Sequence, residues 1–349
     1  RENKAEIETY SRVVKIAGRE LSYLNDNKKK KIKADIIVNA TGVWAGKTAK
    51  LVGREIKVKA YKGTILVYQG RAVERVVNHL HFPSQGDIIL PHRNTTLVGT
   101  TNIPEKNLER FNIEKEEVDF LKEEGFAKVP LLRKRVLLRA YAGLRPVVGE
   151  ISTRSFVLSD DGNFITISGG KLTTYRLMAE KVGNLVARKL GVRAKCRTAE
   201  ENIIGDVKPT KLKKIFKKDY ERIFRRYGNL SGKLSAYSSR NKRICLCEGV
   251  TSNEILFASK ELFCKNLRDI RRRTRFGMGF CQGRRCTFEA ALTLFSENII
   301  NSEEAQLQII NSLEERWKGI VPVIEDYMSE AKLLEATYSC TGNYNMVKI

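Results

Sequence analysis

Cys245-Leu246-Cys247 is followed, after 33 intervening residues, by Cys281-Gln282-Gly283-Arg284-Arg285-Cys286. A C-x-C pair and a C-x4-C pair bring four thiolates within reach of one centre. Four thiolates hold either one structural zinc or one [2Fe–2S] cluster. Zinc ribbons usually carry two C-x2-C knuckles, which this spacing lacks. Gly277, Gly279 and Gly283 make the second loop pliable enough to wrap a centre and aim backbone N–H groups at sulfur. An oxidised [2Fe–2S] cluster on four thiolates carries two negative charges. Arg271, Arg272, Arg273, Arg275, Arg284 and Arg285 would offset them and favour the reduced state. Cys196, Cys264 and Cys340 have no partner at ligand spacing and read as buried or incidental thiols.

Two further stretches have the composition of ligand-binding turns. Ala34–Asn39 is a short apolar run that predicts a buried, parallel strand. It ends in Ala40-Thr41-Gly42, and the segment Trp44–Leu51 predicts a helix. Phe164–Ser168 predicts a second buried strand running into Gly169-Gly170-Lys171, with a long helix over Leu172–Leu190. Such junctions present backbone N–H groups and a helix start to an anion or a dinucleotide. Lys171 adds a cation at that start. Arg145, in Gly143-Leu144-Arg145-Pro146, has the planar fork that matches phosphate oxygens. The histidines are His79, His81 and His92. His79 and His81 stand two apart on a strand-like segment and share a face, but we assign them to no site.

These residues sit in a chain of 349, long enough for about two domains and, at 42% apolar, for a sizeable core. No run approaches the roughly 18 apolar residues of a membrane span, and the first residues lack an apolar leader. Residue 1 is Arg, so a piece of a longer protein is expected. Seven cysteines without a leader suggest a reducing compartment. The formal charge is +24, and residues 206–286 hold 22 Lys/Arg against 7 Asp/Glu, a difference of +15. That excess calls for an anionic partner. The cysteine spacing and scarce interleaved aromatics argue against nucleic acid. Residues 1–35 predict strands with a hairpin at Asn25-Asp26-Asn27, and Lys28–Lys31 reads as a solvated charge run. Strands are expected at 58–68, 73–79, 87–90 and 95–101, forming an antiparallel sheet, with an acidic-start helix at 113–129. A strand is expected at 136 onward, with Gly143–Pro146 after it. The span 200–240 reads as a basic, partly helical linker, 302–329 as helical, and 338–349 as a frayed tail.

The segment Cys245-Leu246-Cys247-Glu248, with Arg271–Cys286, resembles the bacterioferritin-associated-ferredoxin-like (BFD-like) [2Fe–2S] domain. Upstream, Asn39–Ala45, Leu97–Thr101, Arg139–Pro146 and Gly169–Arg176 resemble FAD-dependent glycerol-3-phosphate dehydrogenases of the D-amino-acid-oxidase-like superfamily. The order of the two halves is similar to that in the A subunits of the anaerobic enzymes of that family. The resemblance implies a mixed α/β fold. It divides the chain into a partial FAD-binding Rossmann-like domain (1–55 and 136–195), an inserted antiparallel-sheet substrate domain (56–135), a basic linker (196–242), a small helical [2Fe–2S] domain (243–298) and a helical extension (299–349). It implies two cofactors, FAD and a [2Fe–2S] cluster. Thr41, Gly42, Trp44, Gly169, Gly170, Lys171, Leu172 and Thr173 would lie against FAD. Arg145 and Arg176 would bind substrate, with Arg145 and Lys171 catalytic. Cys245, Cys247, Cys281 and Cys286 would ligate the cluster. The implied reaction oxidises sn-glycerol 3-phosphate to dihydroxyacetone phosphate. Electrons would pass through the cluster to partner subunits and the quinone pool, in a cytoplasmic protein held at the inner membrane face by those subunits. Another amino- or hydroxy-acid dehydrogenase, or a non-catalytic iron–sulfur module, are the alternatives. No G-x-G-x-x-G precedes Asn39, so the family's N-terminal dinucleotide-binding unit is expected outside this chain, in a longer protein or on a separate polypeptide.

Overall fold

The computed structural model describes residues 5–79, 88–149, 155–201, 219–237 and 241–326. In chain order these form β1 (Ser11–Ala17), β2 (Glu20–Asn25), β3 (Lys28–Lys33), β4 (Ile37–Asn39), α1 (Ala45–Lys50), β5 (Lys59–Gln69), β6 (Val77–Asn78), β7 (Ile88–His92), β8 (Thr95–Gly99) and β9 (Ile103–Glu105). There follow α2 (Lys115–Lys128), β10 (Leu137–Val147), β11 (Phe156–Asp161), β12 (Phe164–Gly169), α3 (Tyr175–Lys189), α4 (Tyr220–Tyr227), β13 (Arg243–Cys245), β14 (Val250–Thr251), α5 (Ser252–Glu261), α6 (Leu267–Thr274), α7 (Cys286–Ser296) and α8 (Ser302–Ile320). Two compact units result, one from the described parts of 1–63, 102–111 and 143–206, the other from those of 64–101, 112–142 and 207–349. The expected mixed α/β class is found. His81, Cys340, the stretch 202–218 and the tail 338–349 lie outside the described residues.

In the first unit β1, β2 and β3 form an antiparallel sheet. Asp26 and Asn27 take φ of 48° and 62° and close a two-residue hairpin between the paired Asn25 and Lys28, the positive-φ turn that matches strand twist. The lysines 28–31, expected as a plain charge run, are therefore the edge strand β3. Every residue of β3 is exposed, and a lysine edge repels further strands. A second sheet has the order β11-β12-β4. β12 pairs antiparallel with β11 and parallel with β4, Phe164 opposite Ile37 and Thr166 opposite Asn39. As the middle strand β12 is buried along Phe164–Ser168, which explains its unbroken apolar run. Ile16, Ile37, Ala49 and Phe164 form the core here.

In the second unit the sheet runs β10-β5-β8-β7-β6. β5 and β10 each continue into the first unit, where Ala60–Lys62 of β5 pairs with β9. The Gly143–Pro146 segment expected after a strand is part of β10 itself. The strand expected at 73–79 shortens to Val77–Asn78. Helix α2 covers the sheet with Val118 and Leu121, against Leu66, Ile89 and Val98. Its buried Glu117 accepts hydrogen bonds from the Thr64 and Thr101 hydroxyls, and Thr101 also caps the Thr64 amide at 2.9 Å. That bonding gives Thr101 of the Leu97–Thr101 motif a structural role. The helices α5, α6 and α7 pack through Leu256, Ile270, Ala290 and Leu294 into a separate core that includes Cys245 and Cys286. Among the described residues no helix is long and apolar enough to cross a membrane.

The described part of the basic stretch, 219–237, is not a free linker. Tyr220, Ile223, Tyr227 and Leu234 pack with Phe257 of α5. Underneath lies Glu254, whose side chain is 0% exposed. One oxygen accepts from Arg222 Nη1 at 2.8 Å, Arg226 Nη1 at 3.0 Å and Tyr227 Oη at 2.9 Å. The other accepts from the Thr251 amide at 3.0 Å, closing a capping box on α5. Burial works against charge on Arg222, but the hydrogen bond and charge of Glu254 more than offset it and leave the guanidinium above its usual range. Glu254→Ala strands two arginines whose side chains are 14% and 5% exposed. Removing one partner of such a buried pair costs about 3–5 kcal/mol. Equilibrium denaturation of this variant is expected to show that loss. A change within about 0.5 kcal/mol, the usual scale for a surface site, would mean that Glu254 does not hold α4 in place.

Candidate functional site

The second unit brings the four predicted cysteines together. Cys245 ends β13, Cys247 stands in the turn before β14, Cys281 lies in the loop after α6, and Cys286 opens α7. Cys247 Sγ is 3.6 Å from Cys281 Sγ. The Cys286 thiol shares hydrogen bonds with both Cys245 and Cys281. The four sulfurs thus form a chain of contacts, and Cys245 and Cys286 lie in the hydrophobic core. Among the described residues, no three His, Cys, Asp or Glu side chains are grouped as round a single metal ion.

The surroundings split the four thiols into two that are lowered and two that are raised. The Cys286 hydrogen bond, with the Gly283 and Arg285 amides and the Cys247 thiol, outweighs burial and brings Cys281 down to about 5. Cys245 comes down to about 7 through Cys286 and the Gly277 and Glu248 amides. Burial and the neighbouring thiols push Cys247 up to about 11, and hydrogen bonding to its two neighbours raises Cys286. Two sulfurs ready to ionise beside two that hold protons form a set that releases protons on metallation. Backbone N–H groups aimed at sulfur, in a pocket of four thiols, fit a [2Fe–2S] cluster. Cys264 is apart from this set: burial raises its thiol to about 11, and it faces the Leu262 carbonyl at 3.6 Å.

Close packing dictates the loop's composition. A Cβ on Gly279 would overlap Cys247 Cβ. Of the six arginines expected to face the cluster, Arg272, Arg273, Arg284 and Arg285 are exposed, whereas Arg271 and Arg275 are partly buried. Water screens the exposed four. Arg275 is committed to Glu248, with Nε to Oε2 at 3.0 Å and Nη2 to Oε1 at 3.3 Å. It also meets His92 Nε2 at 2.8 Å, which places one histidine against the cysteine loop. Burial, then the Arg275 charge, keeps the His92 imidazole below its usual range. Two residues to which the sequence reading gave no role belong here. Glu248, its side chain 1% exposed, follows Cys247 directly, and its signal was a lone acid in a basic segment. Asn94 donates to the Cys247 carbonyl at 2.9 Å, a long-range contact with no local signal.

The first unit places the two predicted turns at the same end of its second sheet, while Arg145 and Arg176 lie on other elements. Thr41, Gly42 and Trp44 follow the carboxyl end of β4, while Gly169–Thr173 follow the carboxyl end of its parallel neighbour β12. In α/β sheets ligands bind in the crevice outside these ends. Asn39 braces the first turn, donating to the Ala45 carbonyl at 2.9 Å and accepting from Thr41 Oγ1 at 2.7 Å. Ser168 Oγ donates to the Gly42 carbonyl at 2.9 Å, joining the two turns. Trp44 Nε1 donates to Glu109 at 2.8 Å. Gly169 and Gly170 have φ of 94° and 71°; a Cβ on them would lie 2.9 Å from the Ser155 carbonyl and 2.5 Å from Met178 Sδ. These glycines are therefore demanded by the chain's own packing as well as by backbone angle. Lys171, Leu172 and Thr173 are exposed, Leu172 at 87%. Arg145 lies on β10 and donates from Nη2 to Asn102 at 2.7 Å. Arg176 turns to Glu180 at 2.7 Å and Thr198 at 3.1 Å, so its charge is partly taken up on its own helix. His79 is exposed after β6.

Residues 1–184 match the FAD dependent oxidoreductase family, and residues 243–292 the BFD-like [2Fe-2S] binding domain. The A subunit of the anaerobic glycerol-3-phosphate dehydrogenase of Escherichia coli K12 is 36% identical over 311 residues, covering 83% of this chain and 57% of that protein. The corresponding subunit of Haemophilus influenzae is 36% identical over 337 residues, covering 90% of this chain and 60% of its own length. The chain thus spans less than two thirds of these relatives. A solved glycerol-3-phosphate dehydrogenase from Bacillus halodurans, complexed with FAD, superposes with a TM-score of 0.73 at 22% identity, over 90% of this chain and 69% of that one. That likeness speaks for the fold. By its fold and the match over its first 184 residues, the chain belongs to the FAD dependent oxidoreductase family, with a BFD-like [2Fe–2S] binding domain following the flavin-family segment.

Proposed function

We propose that this chain is part of an FAD-dependent dehydrogenase that oxidises sn-glycerol 3-phosphate to dihydroxyacetone phosphate and sends the electrons on through a [2Fe–2S] cluster. The observation that carries this reading is the meeting of Cys245, Cys247, Cys281 and Cys286 in one pocket, on a chain whose first 184 residues match a flavoenzyme family. The anaerobic dehydrogenase relatives, themselves named as subunits, support the substrate and the existence of further subunits, which would carry electrons to the membrane quinone pool. A peripheral position at the inner membrane face would then follow from those subunits.

FAD supplies the hydride acceptor and the cluster a one-electron carrier when bound. The chain's own residues do the rest. The Thr41–Trp44 and Gly169–Thr173 turns shape the floor on which the flavin would lie. Lys171, with the helix start that follows it, would supply positive charge to a flavin bound there. Arg145, oriented by Asn102, offers its fork to the substrate phosphate. Arg176 would have to leave Glu180 to join it and is the weaker partner. The four cysteines hold the cluster, and the amides of Gly277, Gly283 and Arg285 steady their sulfurs.

Anaerobic reconstitution of the chain, with iron, sulfide and zinc measured on one sample, tests the cluster. About two irons and two sulfides per chain, with visible bands that bleach on dithionite, are expected; stoichiometric zinc without such bands would overturn the electron-transfer reading. Arg145 is tested on the flavin-loaded enzyme. A charge-assisted hydrogen bond contributes about 1.5–3 kcal/mol, so Arg145→Ala should raise KM for glycerol 3-phosphate by about 10- to 100-fold. An unchanged KM would remove Arg145 from the substrate site.

A further inference from the structure

The Arg139–Pro146 motif begins with a residue that the flavin-side reading leaves unused. Arg139 lies on the part of β10 inside the second unit. Its Nη1 donates to Gln282 Oε1 and its Nη2 to the Glu315 carbonyl, each at 3.4 Å. Gln282 in turn donates from Nε2 to the Gly279 carbonyl at 2.8 Å, and Gly279 packs directly on Cys247. A strand of the sheet is thus tied in two steps to the loop that carries Cys281. Helix α8 is shaped for this contact: a Cβ on Gly319 would come within 2.5 Å of Arg139 Nε and Nη2.

Several guanidinium groups crowd together there. Arg139, Arg268, Arg271 and Arg316 line one small cavity, of about 20 Å³, with Glu315 as its carboxylate. The space suits about one water. Burial, then the Arg271 charge, lowers Arg139 to about 9. Burial likewise lowers Arg271, while the neighbouring Glu315 helps to keep it charged. Cations removed from water cost several kcal/mol each unless negative charge lies beside them. Gly277 and Gly283 line the cavity and turn their amides to Cys245 and Cys281, so a cluster on those sulfurs would bring such charge close by.

We propose that Arg139, together with Arg271, is the partly buried counter-charge of the [2Fe–2S] cluster, and that it positions the Cys281 loop and raises the cluster's reduction potential. This rests on the reading of the four cysteines as a cluster site. One electron, from substrate-reduced flavin in the enzyme or from dithionite in the test, takes the cluster from two to three negative charges. No bond breaks and no proton moves. Cations held out of water stabilise that added charge more than screened surface arginines do.

The test is a dye-mediated redox titration of the anaerobically reconstituted chain, followed by visible absorbance, with iron and sulfide measured on each sample. Arg139→Gln and Arg271→Gln are each expected to lower the reduced-to-oxidised ratio at the wild-type midpoint about tenfold, which is about 59 mV for a one-electron couple. Gly319→Ala removes no charge and favours the helix, yet displaces the guanidinium, so its ratio should fall in the same direction. Arg139→Lys keeps the charge and should restore most of the loss. Arg272→Gln, at a side chain 61% exposed, should stay within twofold. If Arg139→Gln loads no cluster, Arg139→Lys and Gly319→Ala carry the comparison. Unmoved ratios in cluster-loaded Arg271→Gln and Gly319→Ala, with Arg139→Gln also unmoved where it loads, would overturn the proposal. Failure of the wild-type chain to take up iron and sulfide would instead overturn the cluster reading beneath it.

Discussion

Charge removed from water must be met by opposite charge, and much of the second unit is arranged around that requirement. Glu254 meets Arg222 and Arg226 under α4. Glu248 meets Arg275 and stands 3.8 Å from Arg93 beside the cysteine turn. These two carboxylates convert a basic stretch into a fixed wall, because a guanidinium fork spends its donors only where a carboxylate is held in place. The wall in turn sets the β13–β14 turn that presents Cys245 and Cys247. At Arg139 and Arg271 a single carboxylate, Glu315, is shared with Arg268.

The first unit answers a different constraint. Parallel pairing of β4 with β12 brings two turns, more than a hundred residues apart in the chain, to one end of a sheet. Buried hydrogen bonds from Asn39 and Ser168 lock those turns to each other. A flat cofactor needs such a pre-formed floor, since ordering two free loops on binding would consume the affinity gained. The exposed Lys171–Thr173 segment beside it is open to whatever completes the site.

Several local readings survived folding because their causes are local. The Asp26-Asn27 turn, the acidic start of α2 and the buried run of β12 depend on residues within a few positions. Others changed because a partner outside the window intervened. Lys28–Lys31 became an edge strand once β2 offered its backbone. Gly143–Pro146 stayed extended within β10. The composition of 219–237 suggested a linker, yet its tyrosines and Leu234 found Phe257.

The amino-acid sequence alone determined which residues can do chemistry here. Thiols at C-x-C and C-x4-C spacing, glycines at strand ends and a phosphate-matching arginine are matters of residue type and short-range spacing, and their chemistry travels with them. Tertiary structure alone decided which charges count. Six arginines near the cysteines look equivalent along the chain, but four face water and are screened. Arg139, 142 residues before Cys281 in the chain, reaches its loop through Gln282. Burial and distance set the strength of an electrostatic interaction, and neither is written in sequence order.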